Sequence, residues 1–172
     1  KDITVESLRC AVFTNDQFEG NLVITDSKFT TDSLVALALY SGSTTLNNVE
    51  ATTKSSNVID NRNGSICNIY GGKYTTDSDF IPIVNANATM NIHGGTFEGS
   101  GTVIATTGTG TTTIDETASE TVIRCNNKEV TYHKAGVRVE GTSTTVINGC
   151  TIENAEYGIW VRKDTPSVTL KN

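Results

Sequence analysis

The sequence has few of the residues that mark helical, metal-binding or nucleic-acid-binding proteins. Its 172 residues include two prolines, two histidines, one methionine, one tryptophan and four cysteines. No Cys-x-x-Cys pair occurs, so the usual spacing of a zinc site is absent. No apolar segment reaches the length that a membrane-spanning helix needs. There is no basic run, and 13 basic against 19 acidic residues give a net charge of −6. We therefore expect no nucleic-acid partner and no membrane span.

Threonine is the abundant residue, with 29 copies in the chain. Threonine, valine and isoleucine favour strands, whereas the strong helix formers leucine, methionine and alanine are scarce. This composition predicts an all-β, extracellular protein and argues against a helical bundle or a nucleotide-binding α/β enzyme. The chain begins at Lys1 and shows no signal peptide, so we expect a mature segment or a fragment of a larger protein.

A sequence repeat runs along the chain. Its most regular position, here called the anchor column, is aliphatic in every copy: Ile24, Leu46, Ile69, Ile92, Ile114, Ile147 and Leu170. All but one of the steps between successive anchors are of similar length, and the step from Ile114 to Ile147 is about half as long again. The regular step gives a period of roughly 22–23 residues, which indicates a solenoid built from one supersecondary unit.

Each copy of the repeat predicts three strands. Two residues after the anchor the chain carries glycine, asparagine or an acidic residue, as at Asp26, Asn48 and Gly71. Glycine, asparagine and aspartate tolerate positive φ, so this position predicts a tight bend. A second inward column follows the bend, at Phe29, Ala51, Tyr74, Phe97 and Ile152. A third strand then begins about halfway through the repeat, at 58–59, 80–83, 103–104 and 159–161.

A single copy cannot bury its own apolar face, whereas stacked copies share one core. We therefore predict an all-β, right-handed parallel β-helix (a solenoid) of about seven coils with three parallel sheets. Residues 1–172 form one domain in this prediction. Residues 1–20 begin or cap it, with a first coil anchored near Ile3 or Val5.

The long step between Ile114 and Ile147 predicts an irregular insertion within residues 106–135. Residues 136–140 match 158–162, which places a third strand at 137–139. Two registers fit the remainder of this stretch. Either Ile114 is the anchor, or Ile123 is the anchor and residues 106–120 are inserted. In both registers about ten extra residues leave the repeat, and such loops often carry function.

The string Ile92-His93-Gly94-Gly95-Thr96-Phe97, together with residues 146–152 and 155–161, resembles the pectin-lyase-like superfamily of right-handed β-helices. The Gly-Gly-Thr-Phe style is also similar to repeat regions of bacterial cell-surface adhesins. The resemblance covers nearly the whole chain. It implies the fold but no single activity, because the superfamily includes polysaccharide lyases, glycoside hydrolases, phage tailspikes and adhesins.

Carboxylates that could serve an enzyme are sparse. A calcium site of the pectate-lyase type needs at least three converging carboxylates. The best cluster is Asp115, Glu116 and Glu120, with Asp60 or Asp26 near by and Lys134 or Arg138 as a base. A glycosidase needs a carboxylate pair, and Asp115 is the only carboxylate in the outward column beside the anchors. We interpret these charges as solvated surface, and we assign no catalytic residue, no metal ligand and no cofactor, with Ca²⁺ as the alternative.

The candidate ligand-binding residues surround the single tryptophan: Trp160, Tyr157, Arg138 and Arg162. If Ile159 and Val161 point inward, Trp160 points outward, and Arg138 is its match one coil earlier. Arg138 could then stack on Trp160 as a cation–π contact. The exposed rings and guanidinium groups would form a platform for a sugar. The alternative is that Trp160 is covered by a neighbouring coil or by a C-terminal part of the protein that follows this segment.

Histidine and cysteine receive structural interpretations. We predict that His93 stacks on Tyr70 in a surface ladder. We expect Cys10, Cys67, Cys125 and Cys150 to be free and mostly buried thiols, and the alternative is a disulfide that joins Cys125 to Cys150.

These observations favour a non-catalytic extracellular or cell-surface module for adhesion or glycan recognition. Its partner would be a glycan or a host or cell-surface protein. The alternatives are a fragment of a polysaccharide lyase or glycoside hydrolase, which rests on the resemblance alone, and a phage-type fibre.

Overall fold

The computed structural model describes residues 3–126 and 133–171, which form nineteen β-strands and no helix. In chain order the strands are β1 (Thr4–Ser7), β2 (Val12–Thr14), β3 (Asn21–Thr25), β4 (Lys28–Thr31), β5 (Leu37–Leu39), β6 (Ser43–Thr53), β7 (Ile59–Arg62), β8 (Ile66–Thr76), β9 (Ile83–Ala86), β10 (Thr89–Ile92), β11 (Gly95–Gly99), β12 (Ile104–Thr107), β13 (Thr111–Asp115), β14 (Thr121–Cys125), β15 (Ala135–Gly141), β16 (Thr144–Asn148), β17 (Thr151–Glu153), β18 (Tyr157–Asp164) and β19 (Ser167–Leu170).

The strands stack as a parallel β-solenoid of about seven turns, which confirms the predicted fold class. Every pairing between neighbouring turns is parallel, and each predicted anchor lies beside the next. Ile24 pairs with Leu46, Leu46 with Ile69, and the series continues through to Leu170. The period of the sequence repeat is therefore the length of one complete turn.

The solenoid has two main sheets, whereas the sequence predicted three. The anchor strands and the second strands belong to one twelve-stranded sheet, and the third strands form a seven-stranded sheet. The two faces join because β6 and β8 continue through the bend without interruption, and Asn47 pairs with Tyr70 and Val49 with Gly72 across it.

Positive φ angles make the bend, as the sequence predicted. Asn48 has a φ of 50°, Gly71 of 77° and Gly72 of 100°. At Gly72 the neighbouring turn also approaches closely, because a Cβ there would lie 2.2 Å from the carbonyl oxygen of Val49. Only glycine satisfies both constraints at this position.

The irregular turn follows the first of the two registers. Ile114 pairs with Ile147, so Ile114 is the anchor. Ile123 lies between Phe97 and Ile152 in the second column, and the register with Ile123 as anchor is wrong. The extra residues occupy two places: the bend between β13 and β14, and the connection from β14 to β15. Residues 127–132 of that connection lie outside the described residues.

The sequence predicted that the first turn begins with an anchor strand, whereas it begins with a strand of the second column. Val5 pairs with Phe29, which places it in the second column and not in the anchor column. Val12 pairs with Leu37 and begins the third column. The first residue of the anchor column is therefore Ile24 on β3.

The core consists of the inward columns, whose apolar side chains are almost completely buried. One corner also holds buried polar side chains. Asn61 Nδ2 donates to Asn85 Oδ1 at 2.9 Å, and Asn85 Nδ2 donates to Thr112 Oγ1 at 2.9 Å. Thr106 Oγ1 donates to Thr112 Oγ1 at 2.7 Å. The two amide bonds connect successive turns, and further bonds from Asn61 and Asn85 to backbone carbonyl oxygens leave the buried amides satisfied.

Candidate functional site: an aromatic and cationic groove

The four residues predicted around the tryptophan lie together on the outer side of the seven-stranded sheet, at its last two turns. Arg138 on β15 pairs with Trp160 on β18, and the flanking Val137 pairs with Ile159. Val137 is buried in the core. Because side chains alternate along a strand, Arg138 and Trp160 point outward.

Three aromatic rings form one wall. The rings of Tyr157 and Trp160 are stacked, with centroids 5.8 Å apart and 22° between their planes. His133 packs edge-on against both rings, 5.4 Å from Tyr157 and 5.0 Å from Trp160. His133 also lies 3.2 Å from a carboxylate oxygen of Glu156, and this hydrogen bond lowers the pKa of Glu156.

The cation over the tryptophan is Arg162 and not Arg138. The Cζ atom of Arg162 lies 4.6 Å from the centroid of the Trp160 ring, within cation–π range. Arg138 is held instead by Glu140, with Nη2 3.5 Å from Oε1, and the other oxygen of Glu140 lies 3.4 Å from Arg162 Nη1. The sequence suggested Arg138 as the stacking partner of Trp160, whereas the structure places Arg162 over the ring, and Glu140 contacts both guanidinium groups.

Arg138 is a largely enclosed charge, with 20% of its side chain exposed. Its Nε atom is buried without a hydrogen-bond partner. Burial lowers the pKa of Arg138, an effect that Glu140 opposes and Arg162 reinforces. The guanidinium group therefore lies in an environment that solvates its charge poorly.

Four of these side chains border an open groove of about 800 Å³, and Tyr157 stacks on Trp160 beside it. His133, Arg138, Trp160 and Arg162 line one part of it, and Asp79, Phe80 and Ile81 from an earlier turn line another. Phe80 is 54% exposed although it is a large apolar side chain. The groove thus combines exposed aromatic surface with guanidinium and carboxylate groups.

Neither His133 nor Phe80 was predicted for this site. Phe80 belongs to a recognised copy of the third strand, but nothing in the repeat shows that its ring stays exposed. His133 precedes Tyr157 by close to one repeat, and that spacing was the available signal.

The carboxylates of the alternative calcium site do not converge within the described residues. Asp115 accepts hydrogen bonds from the backbone N–H and the hydroxyl of Thr117, at 3.1 and 2.8 Å, and lies 3.0 Å from His93 Nδ1. Asp60 is on the other sheet, 2.6 Å from Arg62 Nε. Within residues 3–126 and 133–171, no three His, Cys, Asp or Glu side chains are grouped to hold a metal ion.

The surface ladder around His93 is confirmed. Its ring stacks on Tyr70 with centroids 4.6 Å apart and 20° between the planes. The ladder lies on the twelve-stranded sheet, away from the groove, and it braces the enlarged bend that contains Asp115.

All four cysteines are free thiols, and the alternative disulfide is inconsistent with the register. Val122 pairs with Thr151, so Cys150 lies level with Thr121, four positions from Cys125 along the strand. Four positions correspond to about 13 Å, which is too far for a disulfide.

The chain matches no protein-family model, no curated protein and no solved structure. Within the described part of the chain, no helix is long and apolar enough to cross a membrane. A functional assignment therefore depends on the fold and on the groove.

Proposed function

We propose that this chain is a non-catalytic glycan-recognition module of an extracellular or cell-surface protein, of the kind found in bacterial adhesins with pectin-lyase-like β-helices. The observation that carries the proposal is the wall of Trp160, Tyr157 and His133, with Arg162 over the indole ring, beside an open groove.

The chemistry of the wall suits a sugar. Aromatic rings present flat apolar surface to the C–H faces of a pyranose, while their polar edges remain near water. Guanidinium groups and carboxylates donate to and accept from hydroxyl groups and set the orientation of the ligand. Arg138, Arg162 and Asp79 supply such groups in the groove. An open groove also accommodates a polymer, whose ends must leave the site.

The groove favours binding over cleavage. Asp79 is the one carboxylate among the described residues that line it. Glu140 lies close by, but it is shared between Arg138 and Arg162. Hydrolysis by an acid and a base needs two carboxylates on opposite sides of the scissile bond, and this arrangement does not supply them.

Affinity electrophoresis in native gels tests the proposal. The protein is run through plant, mucin and microbial polysaccharides, with Ca²⁺ and with a chelator, and new reducing ends are assayed in parallel. We expect one class of polysaccharide to retard the protein without cleavage. Trp160→Ala should weaken this retardation about tenfold or more, which corresponds to about 1.4 kcal/mol or more.

Tyr70→Ala is the matched control, because Tyr70 is an exposed aromatic residue stacked on a histidine, but on the other sheet. It should bind like the wild type. New reducing ends would show an enzyme and contradict the proposal. Retardation by none of the polysaccharides, or equal loss in both variants, would also contradict it.

A further inference from the structure

The indole ring of Trp160 already has several neighbours in the free protein. The guanidinium group of Arg162 lies over the ring, with Cζ 4.6 Å from the ring centroid. Tyr157 stacks against the same ring, and His133 packs edge-on against it. A sugar therefore reaches the part of the indole under Arg162 only when Arg162 moves aside.

Arg162 is the neighbour that moves most readily. Its side chain is 36% exposed, and among the described residues it forms one ion pair, with Nη1 3.4 Å from Oε2 of Glu140. Exposed ion pairs and exposed cation–π contacts are both weak. An arginine side chain also has more rotatable bonds than a tyrosine or histidine side chain. The guanidinium group is therefore a displaceable cover over the indole.

Moving Arg162 changes the charge balance around Glu140. Oε1 of Glu140 lies 3.5 Å from Arg138 Nη2, and Oε2 lies 3.4 Å from Arg162 Nη1. Two positive charges thus share one negative charge. Arg138 is the more enclosed of the two cations, and its buried Nε has no hydrogen-bond partner. A second anion at this place would balance the charge.

We propose that Arg162 makes the groove selective for glycans that carry an anionic group, either a carboxylate or a sulfate. This selectivity rests on the proposed function of the groove as a glycan-binding site. When an anionic group enters beside Arg138, Arg162 leaves the indole and pairs with that group, and a sugar ring takes its place on Trp160. A neutral sugar must displace Arg162 without this compensation and binds more weakly.

The other negative charges lie further from the two guanidinium groups or are engaged elsewhere. Asp79 precedes β9, whose strand lies two turns before β15, which carries Arg138, and two turns correspond to about 10 Å. Glu156 is hydrogen-bonded to His133. At physiological ionic strength, salt screens exposed charges that are more than about 8 Å away. An anionic group at the indole therefore meets mainly the guanidinium pair.

Affinity electrophoresis with matched pairs of polysaccharides tests the selectivity. Each acidic polysaccharide is compared with its carboxyl-reduced or desulfated derivative, which keeps the backbone and removes the charge. The two kinds of derivative also distinguish a carboxylate from a sulfate. The acidic member of one pair should retard the wild type about tenfold more strongly than the neutral member. This preference should decrease as the concentration of NaCl rises.

Arg162→Ala should change the two retardations in opposite directions. Without the guanidinium group over the indole, the neutral derivative should retard the variant more strongly than the wild type, and the acidic polysaccharide should retard it more weakly. Trp160 is the sole tryptophan, so its fluorescence provides a second measurement. Acrylamide should quench this fluorescence more strongly in Arg162→Ala than in the wild type, because the ring is uncovered.

Arg62→Ala is the matched control. Arg62 lies on the same sheet and is paired with Asp60, but it is not among the residues that line the groove. It should behave like the wild type in both measurements.

Equal retardation of the wild type by both members of every pair would overturn the selectivity and leave glycan binding in place. The same conclusion would follow if Arg162→Ala weakened both retardations in parallel, changed neither of them, or left the quenching unchanged. If no polysaccharide retarded the wild type, the proposed function itself would be contradicted, and the selectivity would fall with it.

Discussion

The ring of Phe97 lies flat against the ring of Tyr74 in the preceding turn, with centroids 5.2 Å apart and 8° between the planes. Both side chains are completely buried in the second column. They are the two largest fully buried side chains of the described chain, and they fill the same level of the core at which other turns carry Ala51 or Ile123.

Phe97→Ala should be among the most destabilising substitutions in the core. It removes a buried ring together with the stacking contact to Tyr74, and it leaves a cavity between two turns. The expected loss in the free energy of unfolding is about 3–5 kcal/mol, measured by urea unfolding followed by circular dichroism. The control Tyr70→Ala removes an exposed ring and should cost less than about 1 kcal/mol. Equal losses would show that the buried stack adds little.

Gly72→Ala should destabilise the bend by about 2 kcal/mol or more. The substitution forces a residue with a Cβ into a φ of 100° and brings that Cβ against backbone atoms of Val49. Gly101→Ala is the comparison, because a Cβ there would have no heavy atom within 4 Å. Thermal unfolding should show a large decrease for the first variant and little change for the second. The opposite order would be inconsistent with the register at the bend.

Glu98 should contribute to acid sensitivity. Burial of its carboxyl group by itself raises the pKa, but hydrogen bonds and charges from Lys73, at 3.0 Å, and Arg124, at 2.5 Å, outweigh burial and hold the pKa below its ordinary value. Because the folded pKa is the lower one, this stabilisation is present above the unfolded pKa of about 4.3. It is lost as the pH falls through the folded pKa.

Urea unfolding at pH 7 and at pH 3 checks this expectation. The wild type should lose more free energy of unfolding between the two pH values than Glu98→Gln does. Glu19→Gln, at an exposed position, should retain the wild-type difference. If Glu98→Gln and the wild type responded equally to pH, the ion pairs would not be the source of the acid sensitivity.

Cys67 should be the least reactive thiol in the folded protein. Burial raises its pKa to about 12, and its side chain is completely buried. Thiolate is the reactive form, so iodoacetamide at pH 8 should modify the half-buried Cys10 and Cys150 well before Cys67. Mass spectrometry of peptides from the native protein measures the order, with urea-unfolded protein as the reference in which all four thiols react. Early modification of Cys67 would contradict its position in the core.

Much of the fold could be predicted because the signals are local and repeated. Alternation of side chains identified the inward columns, and the recurrence of Gly, Asn and Asp two residues after most anchors identified the bend. The free cysteines and the stack of His93 on Tyr70 were also predicted correctly. Val5 was misplaced because the first copy of the repeat is incomplete, so no earlier anchor indicates its face.

The candidate site was predicted in part. The repeat predicted that four residues lie together, because they belong to one strand and its neighbour: Trp160, Tyr157, Arg138 and Arg162. The inclusion of Phe80 and His133 depends on loops between strands, whose paths the period does not specify.

The sequence by itself determined the period, the inward columns and the positions of the bends, because each follows from the conformational preferences and spacing of neighbouring residues. Only the tertiary structure decided that two of the three faces form one sheet, that Ile114 and not Ile123 is the anchor, and that Arg162 and not Arg138 covers Trp160. Each of these choices depends on pairing or charge contacts between residues far apart in the chain, where the local pattern permits more than one solution.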